Sequence, residues 1–155
     1  MKPKKVFLMC GIPGSGKSTW IRTQSDSVWC SRDNVRFALL KDGEDYFAHE
    51  DEVFEAWIKT IQQAIDDENG NTNIFVDATH LNKKARKKVT TRLCLNSTDK
   101  KIAVNFIVPL ETCLERNEQR SGRALVPRSV IRRMFYSFEP ATVDEGFDEI
   151  VTITN

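Results

Sequence analysis

Apolar and polar positions along the chain fall into blocks that alternate between two periods. Val6 to Cys10 is apolar at every position, as in a strand covered on both faces, and a glycine-rich loop follows it. The loop runs into a helix that ends near Gln24. Ser27-Val28-Trp29-Cys30 predicts a short second strand, and Val35 to Leu40 a helix capped from Ser31-Arg32-Asp33. Asp42-Gly43-Glu44-Asp45 is a turn. From Glu50 to Asp67, Val53, Phe54, Trp57, Ile58, Ile61, Ala64 and Ile65 recur at steps of three and four, which predicts a long amphipathic helix. Asn69-Gly70-Asn71 reads as its left-handed cap.

Ile74-Phe75-Val76 predicts a third strand, stopped by Asp77 to Asn82. Asn82 is placed to cap a helix that keeps Ala85, Val89 and Leu93 on one face. Lys101 to Val108 reads as a fourth strand and Glu111 to about Gln119 as a helix. Ser121-Gly122-Arg123 reads as a hinge, and Pro127 as the first residue of a helix striped by Val130, Ile131, Met134, Phe135 and Phe138. Pro140 stops that helix, and Phe147 to Thr154 is a last strand. Strands alternating with helices predict an α/β fold with a parallel sheet and right-handed crossovers.

Composition narrows the class. At 155 residues the chain predicts one domain, residues 1–155, with no room for a second catalytic domain and no tail. The four cysteines, Cys10, Cys30, Cys94 and Cys113, form no Cys-x-x-Cys pair, and two histidines do not complete a zinc site, so free thiols are expected. The five-residue apolar run after the basic start is too short for a signal or a membrane span. A cytoplasmic protein without a membrane partner is expected. Net charge is +1, so any polyanion site must be local. Asp42 to Glu68 holds ten acids against Lys59 alone, whereas Lys83 to Arg92 holds six bases and no acid. The run Lys83 to Lys88 reads first as a solvated face and in the alternative as a patch that tracks a nucleic-acid backbone.

Gly11-Ile12-Pro13-Gly14-Ser15-Gly16-Lys17-Ser18-Thr19 fits Gly-x-x-x-x-Gly-Lys-[Ser/Thr] immediately after an apolar strand. Glycines let the chain turn so that successive N–H groups face an anion. Lys17 is then placed for the β- and γ-phosphates of ATP, and the Ser18 hydroxyl for Mg²⁺. Asp77, at the end of the third strand, is a second candidate for the metal, or an ordinary turn residue. Asp33 is either a helix N-cap or the base that takes a proton from an attacking hydroxyl, and Arg36 lies one turn on, able to hold an anionic group. Arg116 and Arg120 share a helix face, with Arg123 just past Gly122. Such a cluster is either solvated or a lid, over about residues 116–126, that neutralises a transferred phosphoryl group.

Taken together, Gly11 to Trp20, Ser31-Arg32-Asp33 with Arg36, Asp77 to Asn82, Arg116-Asn117 with Arg120, and Val126-Pro127 resemble the kinase domain of phage-type 5′-hydroxyl polynucleotide kinases. These belong to the wider group of small AAA-like P-loop kinases. The resemblance implies a three-layer, adenylate-kinase-like fold with a five-stranded parallel sheet in the order 2-3-1-4-5 and a short lid. It implies that Asp33 is the general base, that Arg36 contacts the acceptor's phosphate, that Arg120 touches ATP, and that Asp77 belongs to the active site with Thr79 beside it. Arg116 and Arg123 join the loop residues on the ATP side. ATP and Mg²⁺ follow as cofactors, and 5′-hydroxyl ends of DNA or RNA as acceptors. Two rivals are a kinase of a small hydroxyl compound (a nucleoside, an antibiotic or a sugar nucleotide) and a nucleotide-binding switch without an acceptor. His80 departs from the small polar residue expected at its place. The phosphatase domain that often follows such kinases is absent, so removal of a 3′ phosphate is expected to need a separate protein.

Overall fold

The computed structural model describes residues 2–122 and 125–154. Its centre is β1 (Lys5–Cys10), which pairs in parallel with β3 (Asn73–Asp77) on one side and β4 (Lys100–Ile107) on the other. β2 (Ser27–Ser31) joins beyond β3 and β5 (Glu149–Thr154) beyond β4, giving the order β2-β3-β1-β4-β5. Met9 and Ser31 both lie opposite Asp77, so three strands end at one level and deliver their next residues to one edge.

Helices cover both faces. α1 (Lys17–Arg22) sets Ile21 and Trp20 on Met9, Phe75, Val104 and Phe106. On the opposite face, α3 (Glu50–Asp66) buries Phe54, Trp57, Ile58 and Ile61 against Leu8, Ile74 and Val76, and Val89 of α4 (Lys83–Thr90) joins them. Each such side chain contributes about 2 kcal/mol through loss of apolar contact with water. α2 (Arg32–Leu39) leads from β2 toward α3, while α5 (Leu110–Glu118) and α6 (Arg128–Ser137) surround Ile12 of the glycine loop with Cys113, Leu114 and Ile131. This third cluster links the loop to the arginine-bearing segment.

Several local expectations shift. α2 is capped by Ser31, whose hydroxyl accepts from the Asn34 amide at 3.2 Å, so Asp33 lies inside the first turn and caps nothing. Pro127 is extended at ψ 140 and Arg128 is the first helical residue of α6. α4 ends at Thr90, yet Leu93 still packs on the core. β5 starts at Glu149, and Phe147 buries its ring before it. Residues 69–71 form no left-handed cap, since none has positive φ. Lys4 Nζ draws the chain across by donating to the carbonyls of Asp67 and Asn71, both at 2.8 Å. At Gly70 a Cβ would lie 2.8 Å from Asp67 Oδ2, so a larger residue there would have to displace that carboxylate. Cys10, Cys30 and Cys113 are buried, Cys94 is exposed, and all are free thiols. Among the described residues no helix is long and apolar enough to cross a membrane.

His80 is a structural residue. It is buried with φ +45, its ring stacks on Trp57 at 5.8 Å, and Nδ1 lies 2.6 Å from the Met9 carbonyl. A carbonyl only accepts, so Nδ1 carries the hydrogen of a neutral ring. Arg86, equally buried, donates to the carbonyls of His80 and Glu139 at 2.8 and 2.7 Å and pairs with Glu145. Burial pushes the His80 pKa from 6.5 down to about 4, against the pull of the Met9 carbonyl. The unfolded chain therefore binds the proton first as pH falls, and stability drops between pH 6.5 and about 4, by roughly 3 kcal/mol in all. Denaturant titrations across that range should show this loss in the wild type and a much flatter dependence in His80→Asn, which tolerates the positive φ. The same slope in both proteins would remove His80 as the cause.

Candidate active site

The glycine loop adopts the turns its sequence requires. Gly14 and Gly16 have φ +83 and +96, and a Cβ on Gly14 would lie 2.4 Å from the Cys113 carbonyl, so α5 packs directly on the loop. Gly11 donates its amide to the Thr79 carbonyl at 3.0 Å, which joins the loop to the segment after β3. Pro13 is half-buried and Thr19 exposed. Lys17 Nζ bonds back to the carbonyls of Gly11 and Ile12 at 2.8 and 3.1 Å, and burial lowers its pKa. The Ser15 hydroxyl is buried and has no hydrogen-bond partner among the described residues. A desolvated ammonium and an orphaned hydroxyl within one loop fit a polyphosphate, which answers both.

The structure brings Lys17, Asp77, Asp33 and Arg120 within electrostatic reach of one another. Asp77 is largely desolvated, which raises its pKa against the pull of Lys17, and its Oδ2 accepts from the Trp29 indole at 2.9 Å. Ser18 stands in the first turn of α1 and is half-buried. Among the described residues no three His, Cys, Asp or Glu side chains cluster as metal ligands. The donors on offer are thus hard oxygens from Ser18 and Asp77, and phosphate and water must supply the rest. That donor set fits Mg²⁺.

Asp33 and Arg36 occupy positions that differ from the pattern the sequence suggests. The Arg36 side chain, expected to contact the acceptor's phosphate, is 5% exposed and bonded within the protein. Its Nε and Nη2 bond Glu50 at 2.8 and 3.0 Å, and its Nη1 bonds Asp33 Oδ1 and the Tyr46 hydroxyl. Tyr46 donates in turn to the same Asp33 oxygen at 2.6 Å, and the Arg36 guanidinium lies 4.2 Å from the Tyr46 ring centroid. Burial, reinforced by that bond to Asp33, raises the Tyr46 pKa and keeps the phenol a donor. One carboxylate oxygen is fixed from two sides while the Asp33 side chain stays 56% exposed. Tyr46, Glu50 and Trp29 were not among the predicted site residues. The acids and aromatics between residues 42 and 50 were the available signal, but nothing in a turn followed by a helix pattern says which of them folds back.

Arg116 and Arg120 do not share a helix face. α5 ends at Glu118, and the Arg120 amide bonds the Asn117 carbonyl at 3.0 Å in a tighter turn. Arg116 Nη1 lies 3.4 Å from the Gly14 carbonyl, across the loop. Asn117 is buried and clamps Val126 through both backbone groups, at 2.6 and 3.0 Å, so the segment bearing Arg120 is tied at its base. Arg120 itself is exposed. Arg123, and with it part of the expected lid, lies outside the described residues.

A phosphate-binding loop after the central strand of a β2-β3-β1-β4-β5 parallel sheet is the architecture of P-loop kinases, and this chain has the P-loop kinase fold. It belongs to the AAA domain family, which it matches over residues 6–141. Among curated proteins, none matches the sequence. Solved structures of similar fold include a fungal RNA kinase, with TM-score 0.62 and 17% identity over 99% of this chain and 75% of that one. A Pnkp1/Rnl/Hen1 RNA repair complex has TM-score 0.68 and 21% identity over 88% of this chain; this chain spans only 44% of the length of that one. A sugar kinase from Janibacter matches at TM-score 0.62 and 18% identity over 99% and 86%.

Proposed function

We propose that the chain transfers the γ-phosphoryl group of ATP to the 5′-hydroxyl of DNA or RNA, as in the repair of nucleic-acid ends. The observation that carries this reading is the Asp33 carboxylate. Its Oδ1 is fixed by Arg36 and Tyr46, no hydrogen bond to its Oδ2 occurs among the described residues, and it lies within electrostatic reach of Lys17 and Asp77. A sugar or nucleoside acceptor needs a pocket that buries most of its surface. Asp33 is instead more than half exposed, and Phe47, whose ring meets that of Tyr46, is 66% exposed. An open floor of this kind suits an acceptor that offers one end and keeps the rest of its chain outside.

Asp33 takes the proton of the acceptor hydroxyl as that oxygen bonds the γ-phosphorus and the bond to the β-phosphate oxygen breaks. Lys17 and Arg120 balance the charge that moves onto the leaving oxygen. Ser18 and Asp77 are the residues that would hold Mg²⁺, which when bound supplies neutralisation of the β- and γ-phosphate oxygens. Arg36 acts through Asp33 by fixing its orientation.

Labelled phosphate should pass from γ-labelled ATP to a 5′-hydroxyl oligonucleotide and not to the same oligonucleotide already phosphorylated there. Labelling of a sugar or nucleoside in its place favours the small-molecule rival, and ATP binding with no transfer to any hydroxyl favours the switch. Arg120→Ala is expected to lower kcat about 10²-fold while leaving ATP affinity within about threefold, because its charge acts most when charge develops. Pre-steady-state transfer with calorimetry of ATP binding checks this, and equal losses in both would make Arg120 a plain binding residue.

A further inference from the structure

α4 departs from the active-site edge with its cap residue Asn82 five positions after Asp77, and its eight residues run about 12 Å away from it. Lys83 and Lys87 of this helix, with Lys101 from β4 and the ring of Phe147, line an open cavity of about 450 Å³. Its charges do not cancel. Arg86 and Glu145, also in its wall, neutralise each other in a buried pair at 2.7 Å. Lys83 meets Asp144 only at 3.9 Å, with both side chains well exposed, which holds neither strongly. Among the described residues Lys87 has no carboxylate partner, and the Lys101 ammonium has only the Phe147 ring, 5.7 Å away. Three lysines against one weakly held acid leave the wall net positive, which suits a polyanion.

We propose that this cavity holds the phosphodiester backbone of a single-stranded acceptor downstream of its 5′ end. The inference rests on the polynucleotide reading of the active site and deepens it: the loop 77–82 joins Asp77, within electrostatic reach of Asp33, to the start of α4, so a strand seated with its first nucleotide at Asp33 continues along that helix. Such contacts read charge and spacing, not sequence, so the site accepts any base order.

The test is the double reversal Lys87→Glu with Lys101→Glu, assayed with a 5′-hydroxyl dinucleotide and with a strand of about 16 nucleotides. The expected result is a KM for the long strand raised about tenfold or more at roughly 0.1 M salt, with the dinucleotide's kcat and KM unchanged. The slope of log KM against log salt should flatten by about 1.4, the single-strand value for two lost phosphate contacts. The pair Lys87→Arg with Lys101→Arg should behave as wild type, and thermal melting should show both variants folded. Anisotropy of a labelled long strand reads binding without turnover. Transfer that occurs but loses nothing on charge reversal, or loses equally at both lengths, overturns the backbone site and leaves the polynucleotide reading standing. Strand binding that depends on these lysines without any transfer overturns that reading and leaves the surface. Neither binding nor transfer overturns both.

Discussion

Lys17→Ala is expected to lower phosphoryl transfer by about 10³-fold or more while the protein stays folded. The size follows from the worth of one preorganised charge aimed at a developing negative oxygen, roughly 3 to 4 kcal/mol in a water-poor site. The stability expectation follows from the pKa direction. Burial depresses the Lys17 pKa, so the empty fold disfavours its charge near neutral pH, and removing the side chain relieves that cost. What is lost are two bonds to loop carbonyls, and neither supports the core. Melting without nucleotide should therefore stay the same or rise, whereas the stabilisation that MgATP confers on the wild type should largely vanish. Transfer within tenfold of wild type would remove Lys17 from the chemistry.

Asp33→Asn is expected to reduce transfer by about 10²-fold or more with ATP binding unchanged. The substitution preserves size and still offers an oxygen to Arg36 and Tyr46, so the geometry survives and the proton acceptor does not. Stability should change by no more than about 1 kcal/mol, because the Asp33 side chain is more than half exposed and Arg36 keeps its two bonds to Glu50. Ser31 makes the cap, so a stability role at the helix start gives no competing explanation for a lost rate. Single-turnover transfer with saturating ATP, beside denaturant melts, separates the two effects. A rate close to wild type would leave Asp33 as the anchor of Arg36 and nothing more.

The parts legible in the sequence are those whose physics is local. The glycine loop declares itself because a tight anion-binding turn requires particular residues at fixed offsets. The strands declare themselves as apolar runs, and α3 through its three-and-four periodicity. The illegible parts depend on contacts between distant segments. Tyr46 and Glu50 reach back 13 and 14 residues to bond Asp33 and Arg36, and this sets Arg36 in a buried network that its place in the sequence does not announce. Trp29 reads as an apolar strand residue, yet its indole spans 48 positions to Asp77. Asn117 looks like any polar residue at a helix end, and its bonds to Val126 exist only because the intervening segment returns. Gly70 looks like a cap yet has no positive φ, and Lys4 holds that turn from another segment by bonding the carbonyls of Asp67 and Asn71.

The most direct test of the acceptor is the ratio of kcat/KM for a 5′-hydroxyl oligonucleotide to that for a free nucleoside or a sugar acid, measured with the wild-type protein under one set of conditions. An open Asp33 site that relies on the rest of a nucleic-acid strand for binding predicts a ratio of at least about 10³, equivalent to roughly 4 kcal/mol of transition-state binding. A ratio near one, or one that favours the small molecule, would contradict the polynucleotide reading.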